Sequence, residues 1–332
     1  MSRIRKSVAL GAVALMVASG AVALTVPAAA AAATGLDGSK VLDLTFDDSI
    51  ADSGPNNNPT SMIRGTAEYT AGIDGRALKL SGDDALGLGT SPSLQPENLT
   101  ASFWFKPDGS MGNGEQVFTW NKREWFSDGW YLTSEGPNTP LALSVGPGNN
   151  QPYKVAVTGA RDTFFPSDAW THVTVTYDKA TKAVSFYRNG EKQTSTVINP
   201  VGPNASGVLG TTDVEKTIGF NGVVHNGAYT RGALDDFTLY DAVATTTDVV
   251  ALQKQNDPTF DPSTVAQKGL DSVSVPTNAT TDFGVPISTA NGSELSWTSS
   301  NTGTISVHGG QATVARPQGS DATVTLTASA TY

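Results

Sequence analysis

Between residues 170 and 190, Val173, Val175 and Tyr177 alternate with Thr174 and Thr176 before a polar turn at 178–182 and a second apolar-rich run at 183–188. A period of two is that of a strand with one buried face. Asn189-Gly190 follows, a pair that tolerates positive φ at a tight reversal. The stretch predicts a β-hairpin. A lone hairpin is marginal in water, so a second sheet must cover its apolar face. The pattern recurs on both sides of it. The run at 41–46 alternates, 69–80 reads as a turn feeding a strand, and 85–88 and 99–106 follow. Further strands are predicted at 117–120, 130–133, 141–145 and 153–157, each bounded by Gly, Pro, Asn or Ser, and 216–220 and 233–240 complete the sheets. Strands at this spacing indicate an all-β protein, an antiparallel jelly-roll β-sandwich rather than parallel βαβ units.

Only 248–255 reads as a short helix, with Thr247 as its cap. Asp257-Pro258 and Asp261-Pro262 then mark a linker at 256–268 that closes a first domain at 38–255. From 269 to 332 the runs are shorter: Val273 and Val275, 283–287, Leu295 and Trp297, Ile305 and Val307, Ala312 and Val314, and 324–328. That predicts about six strands where an immunoglobulin-like sandwich has about seven. The expectation is a small immunoglobulin-like β-sandwich in truncated form.

Composition agrees, with 34 Gly and 18 Pro suited to short strands and tight turns. The chain is long enough to bury a core without disulfides, and it has no cysteine. Residues 1–33 read as an export signal: Arg3, Arg5 and Lys6, an uncharged stretch from Val8 to Val26, then Pro27 and an alanine run through Ala33. The same run is long enough for a membrane anchor, but its Ala and Gly content and A-x-A sites favour cleavage and a secreted product without membrane insertion. The net charge is −10, and loss of the three basic residues takes it to about −13. A diffusely acidic surface argues against nucleic acid and anionic membranes as partners.

Three pieces together resemble the laminin-G-like jelly-roll family, the concanavalin-like lectin and glucanase fold. They are Leu42-Asp43-Leu44-Thr45-Phe46-Asp47-Asp48, then Trp170-Thr171-His172-Val173 with Tyr187-Arg188-Asn189-Gly190, and finally the run from Gly232 through Asp235-Asp236 to Tyr240. The C-terminal stretch, with Leu295-Ser296-Trp297 and Gly319-Ser320-Asp321-Ala322-Thr323-Val324, is similar to the atrophied bacterial immunoglobulin-like domain. That domain often accompanies glycoside hydrolases of the arabinofuranosidase and xylosidase type. The resemblance implies a non-catalytic lectin-like module for a polysaccharide, with arabinose- or xylose-containing glycans as the class suggested by domain company. It equally admits the front end of a larger glycoside hydrolase, or a structural, adhesive protein of the cell surface.

Two candidate sites stand out. The first is calcium, which takes six to eight hard oxygens. Asp47, Asp52, Asn56 and Asn58 share one loop, and Asp235 and Asp236 sit in the last strand. The resembling fold sets the first and last strands side by side, so Asp47, Asp52, Asn58, Asp235 and Asp236 are the expected ligands. The loop acids fit a solvated Asx-turn loop as well, and adjacent acids within a strand fit either an ion or a bulge. The second is a glycan site, where aromatic faces stack on sugar rings and amides and charges hold the hydroxyls. Its candidates are Trp120, Asn121, Arg123 and Trp125, facing a second loop with His225, Asn226 and Tyr229. Trp125 fits surface packing equally well. Catalysis has little support: the E-x-D-x-E pattern of concanavalin-like glucanases is absent. Glu97, Glu115, Glu124 and Glu135 fall in loop or turn contexts with no evident pair, and His172 reads as an ordinary strand residue.

Overall fold

The computed structural model describes residues 35–36, 38–109, 111, 114–122, 129–146, 153–199, 213–220, 229–318 and 322–332. The export signal expected at 1–33 lies outside them. Ala31–Thr259 and Phe260–Tyr332 fall into separate compact units. In chain order the first carries β1 (Lys40–Leu44), β2 (Ser61–Arg64), β3 (Glu68–Ala71), β4 (Arg76–Ser81), β5 (Ala85–Gly87), β6 (Leu99–Pro107), β7 (Gln116–Lys122) and β8 (Gly129–Ser134). It continues with β9 (Ala142–Val145), β10 (Tyr153–Val157), α1 (Arg161–Phe164), β11 (Thr171–Asp178), β12 (Ala183–Arg188), β13 (Glu191–Lys192), β14 (Ser195–Asn199), β15 (Thr217–Ile218), β16 (Arg231–Tyr240) and α2 (Thr246–Asn256).

These strands form two antiparallel sheets. The first runs β13-β12-β11-β6-β16-β4-β3, and β1 pairs with the second half of β16. The second runs β14-β10-β9-β8-β7-β15-β5-β2. Alternation sends Phe103, Phe105, Val173 and Val175 of the first sheet inward to meet Phe118, Trp130, Leu132 and Leu143 of the second in one buried core. Phe118 locks the layers, its ring centroid 5.1 Å from those of both Phe103 and Phe105. The β12–β13 reversal has Asn189 at φ 47° and Gly190 at φ 75°, the two positive values a two-residue hairpin requires.

The helix after β16 is capped by Thr245, not by Thr247 as the sequence suggested. Three threonines run in a row, and the one three residues before Asp248 forms a reciprocal capping box with it. Thr245→Ala should therefore lower stability by about 1 kcal/mol while Thr247→Ala changes little, as urea melts would resolve. Asp248 also accepts the Gly35 amide at 2.7 Å, and Leu36 is buried beside Val249 and Leu252.

The second unit opens with α3 (Pro262–Asp271), so helix occupies much of the stretch read as linker. Asp261 caps it and Pro262 begins it, signals that the Asp-Pro reading took for a break. Then come β17 (Phe283–Gly284), β18 (Glu294–Ser299), β19 (Ile305–His308), β20 (Gln311–Val314) and β21 (Leu326–Thr331), in sheets β17-β20-β19 and β18-β21. The strand expected at Val273 and Val275 is irregular backbone. Val285, Ile305, Ala312, Val324 and Leu326 make a small core.

Candidate functional site

The face of the second sheet turned away from the core is built by a bulge. Between Val117 and Thr119 the β7–β8 register slips by one residue, which leaves Phe118 and Thr119 both on the core side. Trp120 is thereby directed to the opposite face, opposite Tyr131. The register then continues from Tyr131 to Ser144, to Lys154 and to Asn199, with Thr217 beside Trp120. One lateral row thus crosses six strands: Thr217, Trp120, Tyr131, Ser144, Lys154, Asn199.

Trp120 and Tyr131 stack with centroids 4.5 Å apart at 28°, and Lys122 Nζ lies 5.5 Å over the Tyr131 ring. Trp120 Nε1 donates to the Lys122 carbonyl at 2.7 Å. Both rings are buried. The accessible part of the row is its Lys154 end. Lys154 Nζ meets Glu135 Oε2 at 2.7 Å with side chains 15 % and 22 % exposed, and Thr133 Oγ1 donates to Glu135 Oε1 at 3.2 Å. Glu115 stands one step beyond the Gln116–Ser134 pair, across the hairpin from Glu135. Its Oε1 is buried without a hydrogen-bond partner. Burial first, and then Glu135, push its carboxyl up to about 7, against the pull of Lys154. The same burial and acids raise the Tyr131 phenol. The arrangement combines an ion pair able to hold a diol, hydroxyls at hydrogen-bond range and a carboxyl poised near neutrality.

Of the expected glycan residues, Trp120 lies on this row as packing, one face covered by Tyr131. Asn121 points to the core side beside Trp130, fully buried, with the Leu94 carbonyl 3.4 Å from its amide. Tyr229 forms a different stack, 4.8 Å from Phe220 with the Arg64 guanidinium 5.4 Å over its ring. Arg123, Trp125, His225 and Asn226 lie outside the described residues. The sequence reading missed the Glu115–Glu135 pairing. Its only signal was that both residues flank one hairpin, and strand register alone sets them face to face.

The five expected calcium ligands separate into two groups. Asp52 is buried and filled: Oδ1 accepts the Asp43 and Gly54 amides at 2.9 and 2.8 Å, and Oδ2 accepts the Asn58 amide and its Nδ2 at 2.7 and 2.8 Å. Asp235 and Asp236 occupy a bulge in β16, with Asp236 at φ 47°. Asp235 accepts the Ile73 amide at 2.9 Å and the Asp236 amide at 3.1 Å, and Asp47 Oδ1 accepts the Arg76 amide at 2.8 Å. The 72–75 turn lies so close that a Cβ at Gly75, where φ is +58°, would sit 2.0 Å from Asp47 Oδ1, and one at Gly72 would sit 2.3 Å from Asp235 Oδ2. Among the described residues no three His, Asp or Glu are placed to hold a metal ion. Both oxygens of Asp52 and both of Asp235 accept N–H groups, whereas Asp47 accepts one on Oδ1 and Asp236 one on Oδ2 among the described hydrogen bonds.

Solved structures with a similar fold include the binding domain of Paraclostridial mosquitocidal protein 1, at 18 % identity and a TM-score of 0.53, covering 66 % of this chain and 53 % of that one. Another is a structure of botulinum neurotoxin type C, whose cell entry depends on interaction with two ganglioside molecules, at 15 % identity and TM-score 0.53 (67 % and 52 % covered). A third is the binding domain of botulinum neurotoxin DC in complex with rat synaptotagmin II, at 15 % and 0.53 (67 % and 52 %). The chain spans about half the length of these structures, and at such identities the likeness is one of fold. No curated protein matches the sequence. Residues 264–332 match the atrophied bacterial Ig domain. Residues 80–250, just over half the chain, match the model of the concanavalin A-like lectin/glucanases superfamily, and the chain belongs to that superfamily.

Proposed function

We propose that the first unit is a secreted, non-catalytic module that binds a polysaccharide at the Lys154 end of the outer row. The Lys154–Glu135 ion pair carries this reading, a partly exposed pair of opposite charges at the edge of the buried Trp120–Tyr131 stack and beside the half-exposed Asn199. A lysine and a carboxylate side by side offer both donors and acceptors to vicinal sugar hydroxyls. The ganglioside-dependent cell entry of botulinum neurotoxin type C, a neighbour in fold, supports the ligand class, and the companion Ig-like domain supports arabinose- or xylose-containing glycans as the first to try. Export is supported by the leader at 1–33, and no described helix is long and apolar enough to cross a membrane.

Affinity gels cast with a panel of arabinan, xylan, arabinoxylan and unrelated glucans test the proposal. At least one should retard the protein. Lys154→Met and Glu135→Gln should each weaken that retention about tenfold while leaving the circular dichroism spectrum unchanged, as loss of a charge-assisted hydrogen bond requires. Retention of no glycan, or retention unaffected in both variants, would refute the site.

A further inference from the structure

The second sheet ends, at the edge away from β10 and β14, in β2, whose last residue Arg64 stands opposite Ala85. The Arg64 guanidinium lies 5.5 Å over the Phe220 ring and 5.4 Å over that of Tyr229, and the two rings stack 4.8 Å apart. A delocalised cation resting on an aromatic pair is held in place while its N–H edge stays available. Arg64 is exposed and Phe220 buried. Gly65 follows at φ +69°, and a Cβ there would sit 1.9 Å from Asp84 Oδ1, so only glycine lets the end of β2 lie against the 82–84 loop.

A second guanidinium borders the same loop. Thr230 turns inward, its Oγ1 donating to the Val117 carbonyl at 2.6 Å, and alternation then sends its neighbours Tyr229 and Arg231 the other way. Arg231 begins β16 opposite Ser81, and its side chain reaches Gly82, where a Cβ would sit 3.0 Å from the Arg231 Nη2. The chain holds 31 acids to 21 bases, yet neither exposed arginine forms an ion pair among the described residues. Asp84, the buried acid of the loop, accepts the Ser81 amide at 2.6 Å, and the exposed Asp83 pairs with neither arginine.

With Phe220 stacked on Tyr229 and Arg64 over both, the cluster presents guanidinium N–H groups rather than a bare ring for a sugar to stack on. The complement of such an edge is a planar oxoanion, since a carboxylate accepts two parallel N–H bonds from one guanidinium. A neutral sugar makes no use of either charge, and a metal cation is repelled by both. We propose that Arg64 and Arg231 form a second binding site, for the carboxylate of an acidic sugar such as a uronic acid residue. That a saccharide carries the carboxylate rests on the polysaccharide reading above; the preference for an oxoanion rests on the two arginines alone.

Affinity gels of the full chain cast with sodium polygalacturonate test this, against the same polymer fully methyl-esterified. Polygalacturonate should retard the protein, and the ester should bind it about tenfold less, because esterification removes the charge that the arginines pair with. Arg64→Met and Arg231→Met should each weaken retention about tenfold, and Arg64→Lys about fivefold, since an ammonium keeps the charge and loses the fork. Asp83→Asn removes the one exposed acid of the loop and should strengthen retention about twofold. Lys154→Met, on the other side of the sheet, should change nothing, and circular dichroism should be the same for every variant. Free galacturonate should displace the polymer at concentrations where inorganic sulfate of equal ionic strength does not. Polygalacturonate retention with neutral glycans unbound would support this site and count against the Lys154 one. No retention, equal retention by the ester, full retention in both methionine variants, loss in Lys154→Met alone, or equal displacement by sulfate would overturn the proposal.

Discussion

Asp52→Ala is expected to lower the free energy of unfolding by about 3–5 kcal/mol, because it leaves four nitrogen donors without their acceptor, two of them in buried hydrogen bonds. Those donors are the amides of Asp43, Gly54 and Asn58 and the Asn58 side chain, all within 2.9 Å of the carboxylate. Asn58 Nδ2 also reaches the Val41 carbonyl at 2.8 Å, so the damage spreads to the first strand, whose Leu42 and Leu44 are core. Asp52→Asn should cost less, since one oxygen remains to accept, though its amide then faces donors. Urea melts of the three proteins measure this. Excess chelator should leave the wild-type melt unmoved, since an ion bound only by the native state would have to raise stability. A chelator-induced fall of several degrees would show that the loop binds a metal after all.

What the sequence disclosed follows from how local each determinant is. The Asn189-Gly190 reversal was legible because positive φ at two consecutive positions is a matter of two residues' own sterics. The cap of α2 was misplaced by two residues because Thr245, Thr246 and Thr247 are chemically alike, and only the reciprocal bond with Asp248 separates them. The edge strands β2, β3 and β14 escaped notice. Their side chains are partly exposed on both faces, so no period-two signal forms.

The site was less legible for a different reason. Simple alternation along 117–120 puts Trp120 on the same face as Phe118, and only the bulge, a property of the pairing with β8, moves it to the other. Glu115 and Glu135 stand twenty residues apart and meet through that same pairing. The adjacent acids at 235 and 236 were flagged correctly as needing a reason. The sequence offered an ion or a bulge, and the backbone of Asp236 forms the bulge.

That bulge, with Glu115, should make the protein more stable in mild acid than at alkaline pH. Burial first, then Asp236 and Asp47, raise the Asp235 carboxyl to about 7. Burial, with Asp47, Asp43 and Asp74, raises Asp236 to about 6. Glu115 is held at about 7. All three lie above the ordinary carboxylate range, so between pH 4 and 7 the folded chain binds more protons than the unfolded chain. Stability contributed by protonation is then present at low pH and lost as pH rises through 6 and 7. His172 works the other way: buried neutral and held down at about 4, it weakens folding below about 6.5, where the unfolded imidazole charges. With the carboxylates outnumbering the imidazole, the free energy of unfolding should be about 3 kcal/mol greater at pH 5.5 than at pH 8. Asp47→Asn keeps an oxygen for the Arg76 amide while removing one of the charges that press on both bulge acids. It should raise stability at pH 8 by about 1 kcal/mol and flatten the profile accordingly. Urea unfolding across pH 5 to 8.5 reads both effects. A wild-type profile that is flat, or that rises toward alkaline pH, would mean that these three carboxyls do not titrate above the ordinary carboxylate range in the folded chain.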